Sequence, residues 1–186
     1  MVSLRFILNC IVAAFLLQGL AIVPVSADES RLDELFDTLR EPDLPNWQMV
    51  EDEIWSEWSK SGSASMDLLL QRGRDAMEQE NFVLAIEHLT ALTDHAPDFA
   101  EGFNARATAY FRHGLFGPAM ADIERALSLN PNHFGAMIGL GAVMEELGYP
   151  EKALAAFRAA HAIHPNEPDI KDAVERLEKS VSGITI

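Results

Sequence analysis

The sequence predicts an all-α fold, a short right-handed α-solenoid of three helix pairs with helical caps at both ends. Two sets of residues recur every 34 positions: Pro97, Pro131 and Pro165, and Ala85, Ala119 and Ala153. Within each period the apolar residues are spaced three to four positions apart, as one face of a helix requires. Residue classes that keep one register over three periods indicate a stacked structural unit, because only stacking imposes such a register.

The first element in chain order is a predicted signal peptide, residues 1–27. Arg5 is its only charged residue, a long apolar run follows, and Pro24 with the small residues of "VSA" ends the run. This layout predicts cleavage after Ala27 and a mature form that does not span a membrane. The alternative is an uncleaved anchor, because the run is long enough to cross a bilayer. The only cysteine, Cys10, lies inside the run, so the mature chain has no disulfide.

Residues 28–65 are predicted to form an N-terminal helical cap, or a degenerate repeat, on the first end of the solenoid. Two apolar helical faces support this: Leu32, Leu35, Phe36 and Leu39, then Trp47, Val50, Ile54 and Trp58. Pro42 and Pro45 separate them. A solenoid needs such a cap because its end unit has no neighbour to bury its inner face.

The three repeat units are residues 66–99, 100–133 and 134–167, each predicted to be two antiparallel helices joined by a tight turn. Gly114 can take the left-handed conformation that ends a helix. Asp98 with Glu101 can cap the start of the next helix. Each proline then stops the second helix, since it lacks an N–H and restricts the residue before it.

Small residues are predicted where the two helices of a unit cross closely, because a larger side chain would hold the backbones apart. On this interpretation three alanines of the second helices face three small residues of the first helices: Ala85, Ala119 and Ala153 opposite Gly73, Ala107 and Gly141. After the repeats, residues 168–180 are predicted to form a solvated capping helix. The tail, residues 181–186, is expected to be disordered.

The spacing and residue types resemble the tetratricopeptide repeat (TPR) family, in its exported bacterial form. The positions that carry the resemblance are Gly73, Ala85, Pro97, Tyr110, Ala119, Pro131, Gly141, Ala153, Phe157 and Pro165. The third unit follows the family pattern best, although methionines stand at two of its aromatic positions. The second unit departs from the pattern, because Arg106-Ala107 replaces the usual Leu-Gly pair.

The resemblance implies a binding role, in which the first helix of each unit lines a concave groove that holds a peptide or a helix of a partner. The groove residues predicted this way are Leu70, Arg74, Met77, Asn104, Thr108, Phe111, Ile138, Ala142 and Glu145. They form a mixed apolar and polar channel that suits an amphipathic helix or an extended peptide. Leu70 and Phe111 can equally be core residues. A clamp for a terminal carboxylate is not predicted, because the third unit offers Gly135, Ile138, Gly139 and Ala142 instead of cations.

The charge of the chain restricts its partners. Removing residues 1–27 removes one of 14 basic residues and none of 29 acidic ones, which leaves a net charge of −16. Such a charge disfavours nucleic acid and anionic membranes and suits a basic protein or peptide, although it also serves plain solubility.

No constellation in the sequence supports catalysis, so we expect a protein that is not an enzyme and has no cofactor. His161 and His164 could share a metal ion, but no third ligand is evident near them, and no metal site is predicted.

The predicted function is that of a non-catalytic interaction module, a scaffold or adaptor, and the resemblance to exported proteins of this family implies the periplasm of a Gram-negative bacterium. The alternative is a self-assembling structural protein that forms a homo-oligomer through the tryptophan-rich helix, with Trp47, Trp55 and Trp58 exposed. The identity of the partner is not encoded in any motif of the sequence.

Overall fold

The computed structural model describes residues 27–183, and within them the chain forms nine helices and no strand. The helices are α1 (Ala27–Leu39), α2 (Trp47–Trp58), α3 (Ala64–Glu78), α4 (Phe82–His95), α5 (Ala100–Arg112), α6 (Phe116–Leu129), α7 (Phe134–Glu146), α8 (Pro150–Ile163) and α9 (Pro168–Gly183). The predicted all-α solenoid is confirmed. The predicted signal peptide lies outside the described residues except for Ala27. Helix α9 continues three residues beyond the predicted end of the C-terminal cap.

Each predicted unit holds one helix pair: α3 and α4, α5 and α6, α7 and α8. The second helix of each pair ends two residues before the periodic proline, at His95, Leu129 and Ile163. Pro97, Pro131 and Pro165 therefore stand at the junctions between units, where a missing N–H breaks no helical hydrogen bond.

The turns inside the units are built alike. Gly114 and Gly148 have φ angles of 78° and 77°, and the residue after each donates its N–H back to the helix, Leu115 to Tyr110 at 2.8 Å. The left-handed conformation predicted at Gly114 is therefore present, and the hydrogen bonds are those of a Schellman motif. In the first unit Glu80 takes the same place with a φ of 57°. The hydrogen bonds of the turn hold a residue other than glycine in the left-handed region.

The small residues predicted at the helix crossings are buried, but the atoms nearest Gly73 and Gly141 belong to the residue four positions after the predicted alanine. Ala85, Ala119 and Ala153 are all fully buried. The first-helix glycines contact large side chains of the second helix, one turn after the buried alanine. A Cβ at Gly73 would lie 2.5 Å from Leu89, and one at Gly141 would lie 2.6 Å from Phe157. The absence of a side chain at these glycines lets a large residue of the second helix fill the space between the helices.

Replacing Gly141 by alanine should lower the free energy of unfolding by about 1–3 kcal/mol, because the new methyl group would overlap the Phe157 ring. Gly117→Ala is the matched control, since a Cβ there meets no atom within 4 Å and a helical alanine is favoured by about 0.5–1 kcal/mol. Urea unfolding of both variants measures the difference. Equal stability of the two variants would contradict the close contact between Gly141 and Phe157.

Arg106, which departs from the family pattern, forms a largely buried ion pair with Asp122. Arg106 donates to both carboxylate oxygens of Asp122 in α6, at 2.7 and 2.8 Å, and to Thr93 Oγ1 in α4 at 2.6 Å. The hydrogen bonds to Asp122 raise the pKa of Arg106, against burial, which lowers it. Charge-assisted hydrogen bonds thus join the first helix of the second unit to its own second helix and to the first unit.

Asp122→Ala should cost about 3 kcal/mol of stability, because it leaves the Arg106 guanidinium buried without its counter-charge. The double variant Arg106→Leu/Asp122→Ala should recover most of this loss, since both charges are gone and an apolar side chain fills the site. A double-mutant cycle by thermal or urea unfolding tests the coupling. Additive losses in the double variant would show that the pair contributes no coupling.

Helix α9 covers the third unit. Ala173 and Leu177 are buried against Met144, Leu154 and Phe157. This is the predicted C-terminal cap, and it buries the apolar side of α8 that has no further repeat beside it.

Helices α1 and α2 lie elsewhere than expected. Their buried residues Phe36, Leu39, Ile54 and Trp58 form one cluster with residues of the third unit and α9, namely Phe134, Ala160, Ile163 and Ile170. The interpretation of residues 28–65 as a cap on the first unit is therefore corrected for these side chains. Their apolar faces are buried on the third unit and α9, where removing apolar surface from water stabilises the contact.

Candidate functional site

A buried carboxylate, Glu101, is the centre of the polar contacts between the first helices of the units. Its Oε1 accepts a hydrogen bond from Arg74 of α3 at 2.6 Å. Its Oε2 accepts from Asn104 at 2.9 Å and lies 3.0 Å from His133 Nε2. Only 3% of the Glu101 surface is exposed. The carboxylate is stabilised in this position because three donors replace its lost water.

His133 has one tautomer that fits its surroundings. Its Nδ1 accepts the backbone N–H of Ala136, which makes the ring the N-cap of α7. The proton of a neutral ring is then on Nε2, which donates to Glu101. The capping box expected from Asp98 and Glu101 is not formed, because Phe99 is the N-cap of α5 and Glu101 faces inward.

Helix α2 lies over the N-terminal ends of α5 and α7. The indole of Trp58 stacks on His133 with ring centres 4.1 Å apart. Trp55 lies against Gly135, where a Cβ would be 2.6 Å from the indole. Trp55 also donates its N–H to Glu51 at 3.2 Å, one turn earlier in α2. Part of the surface that the sequence assigned to a partner is thus occupied by a helix of the same chain.

The loop between α1 and α2 is fixed by one side chain, Asn166. Its amide donates to the carbonyl groups of Leu39 and Glu41, and its oxygen accepts the N–H of Leu44. Trp47 then packs edge-on against His164 at 5.0 Å between ring centres. These contacts hold the start of α2 at the junction between the third unit and α9.

Two adjoining recesses remain open beside α2, and together with the first helices that line them we call them the groove. The first has a volume of about 380 Å³ and lies between α3, α5 and Trp55; the second, of about 190 Å³, lies between α5 and α7. Asn104 and Thr108 line both recesses. Met77 adds an apolar wall to the first, and Phe111 and Ile138 add apolar walls to the second.

Most of the predicted groove residues come together in these recesses. The residues that line them are Arg74, Met77, Asn104, Thr108, Phe111 and Ile138. Leu70 does not line either recess, because its side chain is buried in the core of the first unit and only 1% exposed. Neither Ala142 nor Glu145 lines either recess.

Glu145 has a different role from the one predicted for it. Arg176 of α9 donates to both of its carboxylate oxygens, one of them at 2.9 Å. These hydrogen bonds hold the pKa of Glu145 below its ordinary value, although burial raises it. The carboxylate therefore serves the attachment of α9 to the third unit.

The exposed tryptophan surface that self-assembly would need is not present. Trp58 is buried, and Trp55 and Trp47 are half-buried. Trp55 and Trp58 contact Phe134 of the third unit, and Trp47 contacts His164 at the end of that unit. The alternative function through these side chains is corrected accordingly, because their apolar area is already covered by the same chain.

Sequence reasoning missed Glu101 as a hub, together with His133, Trp55 and Asn166. One signal was available, namely that a glycine, Gly135, stands in the first turn of α7 where most residues would carry a side chain. A glycine inside a helix can mark the close approach of another element. The approaching element itself, Trp55, is far away in sequence and could not be paired with Gly135 by spacing.

Comparison with known proteins identifies the family. The model of the tetratricopeptide repeat matches residues 70–133 and 104–168. The chain belongs to the tetratricopeptide repeat family. A TPR repeat-containing protein of Rhizobium etli is 35% identical over 159 residues, which are 85% of this chain and 78% of that protein.

More distant relatives match a smaller part of the chain. Hsp70-Hsp90 organizing protein 1 of Glycine max is 23% identical over 60% of this chain, and the chain spans 20% of that protein's length. Among solved structures, the TPR domain of Sgt2 from Aspergillus fumigatus matches 66% of this chain and 83% of its own, with a TM-score of 0.63 and 22% identity. The first TPR of Spaghetti, bound to an HSP90 peptide, matches 63% and 93% with a TM-score of 0.61 and 24% identity. These structures share the fold.

None of the helices in the described part of the chain is both long enough and apolar enough to cross a membrane.

Gly135→Ala should displace Trp55, lower the free energy of unfolding by about 1–3 kcal/mol and change the near-ultraviolet circular dichroism of the tryptophans. Gly139→Ala, one turn later in α7, is the control, because its Cβ would lie 3.5 Å from Ile123, an ordinary contact. Unchanged spectra and stability in Gly135→Ala would show that α2 does not depend on this approach.

Proposed function

We propose that the protein is a non-catalytic interaction module, exported to the bacterial envelope, that binds a short segment of a partner protein in the groove. The observation that carries the proposal is the pair of recesses that share Asn104 and Thr108, because they leave one continuous open surface beside α2. The binding of peptides by a protein of the same fold, the first TPR of Spaghetti, is consistent with this use of the surface.

The lining of the groove favours a segment with apolar side chains. Met77, Phe111 and Ile138 provide apolar contacts, and Asn104 lies between them as a polar group. Such a surface suits the apolar face of an amphipathic helix or alternate side chains of an extended peptide. An acidic peptide fits poorly, because the guanidinium of Arg74 is already paired with Glu101 at 2.6 Å and brings little net charge to the groove.

The charge of the whole chain favours a partner with basic residues around that apolar segment. The chain carries 29 acidic and 14 basic residues. An acidic surface accelerates association with a basic partner, and the effect weakens as salt is added.

The location of the protein is part of the proposal. Export to the periplasm is supported by the apolar segment of residues 1–27, which ends in Pro24 and small residues before Ala27. The relative in Rhizobium etli is a bacterial protein of similar length, since the alignment covers most of both chains.

Affinity capture with the tagged chain from envelope extract tests the proposal, with Thr108→Arg as the variant. Thr108 is exposed and lines both recesses, so an arginine there would fill the groove without disturbing the core. Ala155→Arg is the matched control, because it places the same side chain on the exposed side of α8. Proteins captured by the wild type and by Ala155→Arg should be reduced at least about tenfold by Thr108→Arg.

If Thr108→Arg and Ala155→Arg capture the same amounts of each protein, the partner does not bind in the groove. The strength of capture should also fall as salt is raised if the partner is basic. A mass of two or more chains for the purified protein, unchanged by Thr108→Arg, would support self-association through another surface.

A further inference from the structure

Three potential metal ligands meet where α2 crosses the junction between the third unit and α9. They are Glu51 of α2, His164 directly after α8, and Glu167 directly before α9. One ligand atom from each lies within 4.8 Å of the others, and His164 Nε2 is 3.7 Å from Glu51 Oε2. Two ligands of one tetrahedral metal ion are separated by roughly 3.4 Å when each bond is near 2.1 Å, so only a small adjustment would be needed.

His164 supplies the independent observation. Its side chain is 0% exposed, and within the described residues neither of its ring nitrogens has a hydrogen-bond partner. A buried imidazole without partners is costly, since both nitrogens have lost water. A metal ion bound at Nε2 would give that nitrogen a partner, and it would lie on the side of the ring that faces Glu51.

Both carboxylates are already oriented by other donors. Glu51 Oε1 accepts the indole N–H of Trp55 at 3.2 Å, while its Oε2 is the oxygen that faces His164. Glu167 Oε1 accepts the backbone N–H of Asp169 at 3.3 Å. Hydrogen bonds of this kind fix the direction of ligating carboxylates and strengthen metal sites.

We propose that Glu51, His164 and Glu167 bind a divalent transition-metal ion, with Zn²⁺ as the best match, and that the ion fastens α2 to the third unit. One imidazole nitrogen and two carboxylate oxygens are a donor set that Zn²⁺ accepts and that Mg²⁺ or Ca²⁺, which prefer oxygen alone, do not. Three protein ligands leave a fourth position for water. His161, which the sequence paired with His164, is not part of the group.

Calorimetric titration of the full-length chain with Zn²⁺ tests the site. We expect one saturable ion per chain, and Co²⁺ in its place should give the visible absorption bands of a four- or five-coordinate ion. Glu51→Gln and Glu167→Gln should each weaken Zn²⁺ binding at least about tenfold. Asp52→Asn and Glu175→Gln are the controls, because they remove exposed carboxylates from α2 and from α9, which follows Glu167, and should leave the affinity unchanged.

Thermal unfolding with and without Zn²⁺ separates loss of the ligand from loss of the fold. The wild type should unfold at a higher temperature in Zn²⁺, and the two glutamine variants should lose this increase while keeping a cooperative transition without the metal. Hydrogen exchange in α2 should slow when Zn²⁺ is added to the wild type. The proposal is overturned if no saturable site exists, or if Asp52→Asn weakens binding as much as Glu51→Gln, which would indicate diffuse binding to acidic surface. Its failure leaves the proposed groove function intact, because Thr108 and the recesses are separate from these ligands.

Discussion

The close approach of the two helices in each unit is the constraint on which the rest of the structure depends. At Gly73 and Gly141 there is no room for even one methyl group, because Leu89 and Phe157 fill the space from the second helix. One turn before each of these large residues, the second helix carries a fully buried alanine, Ala85 or Ala153. Units of equal shape can then stack with a constant rotation, and stacking with rotation turns the first helices towards one curved surface.

That curved surface is divided between a segment of the same chain and open space. Helix α2 covers the ends of α5 and α7 through Trp55 and Trp58, and Asn166 holds the loop that precedes it. On the proposed function, a partner would meet a groove in which Trp55 of the same chain already forms one wall. This arrangement reduces the length of groove available and so favours a short segment over a long helix.

The charges inside the groove are balanced within the protein. Glu101 is buried, and its contacts with Arg74, Asn104 and His133 satisfy it with donors from three first helices. Removing one partner of such a network leaves another polar group unpaired in a poorly hydrated site. The hydrogen bonds of the network therefore stabilise the contacts between the units together. The same balance explains why Arg74, a cation in the sequence, contributes little positive charge to a bound segment.

Local signals in the sequence determined the repeat. The 34-residue spacing of Pro97, Pro131 and Pro165, the small residues at the crossings and the glycine turns each act within one unit or between adjacent units, so spacing along the chain reveals them. Six of the nine residues that the family resemblance placed in a groove line the two recesses, and their use in binding stays a prediction.

Only the tertiary structure decided where α1 and α2 lie, that Glu145 pairs with Arg176, and that Glu51 meets His164 and Glu167. Each of these contacts joins the third repeat unit to a residue outside the repeats, in α1, α2 or α9. An apolar helical face such as that of Trp47, Ile54 and Trp58 shows that it must be buried but not on which end of the solenoid. The choice depends on the relative area and shape of surfaces that exist only after the units have stacked.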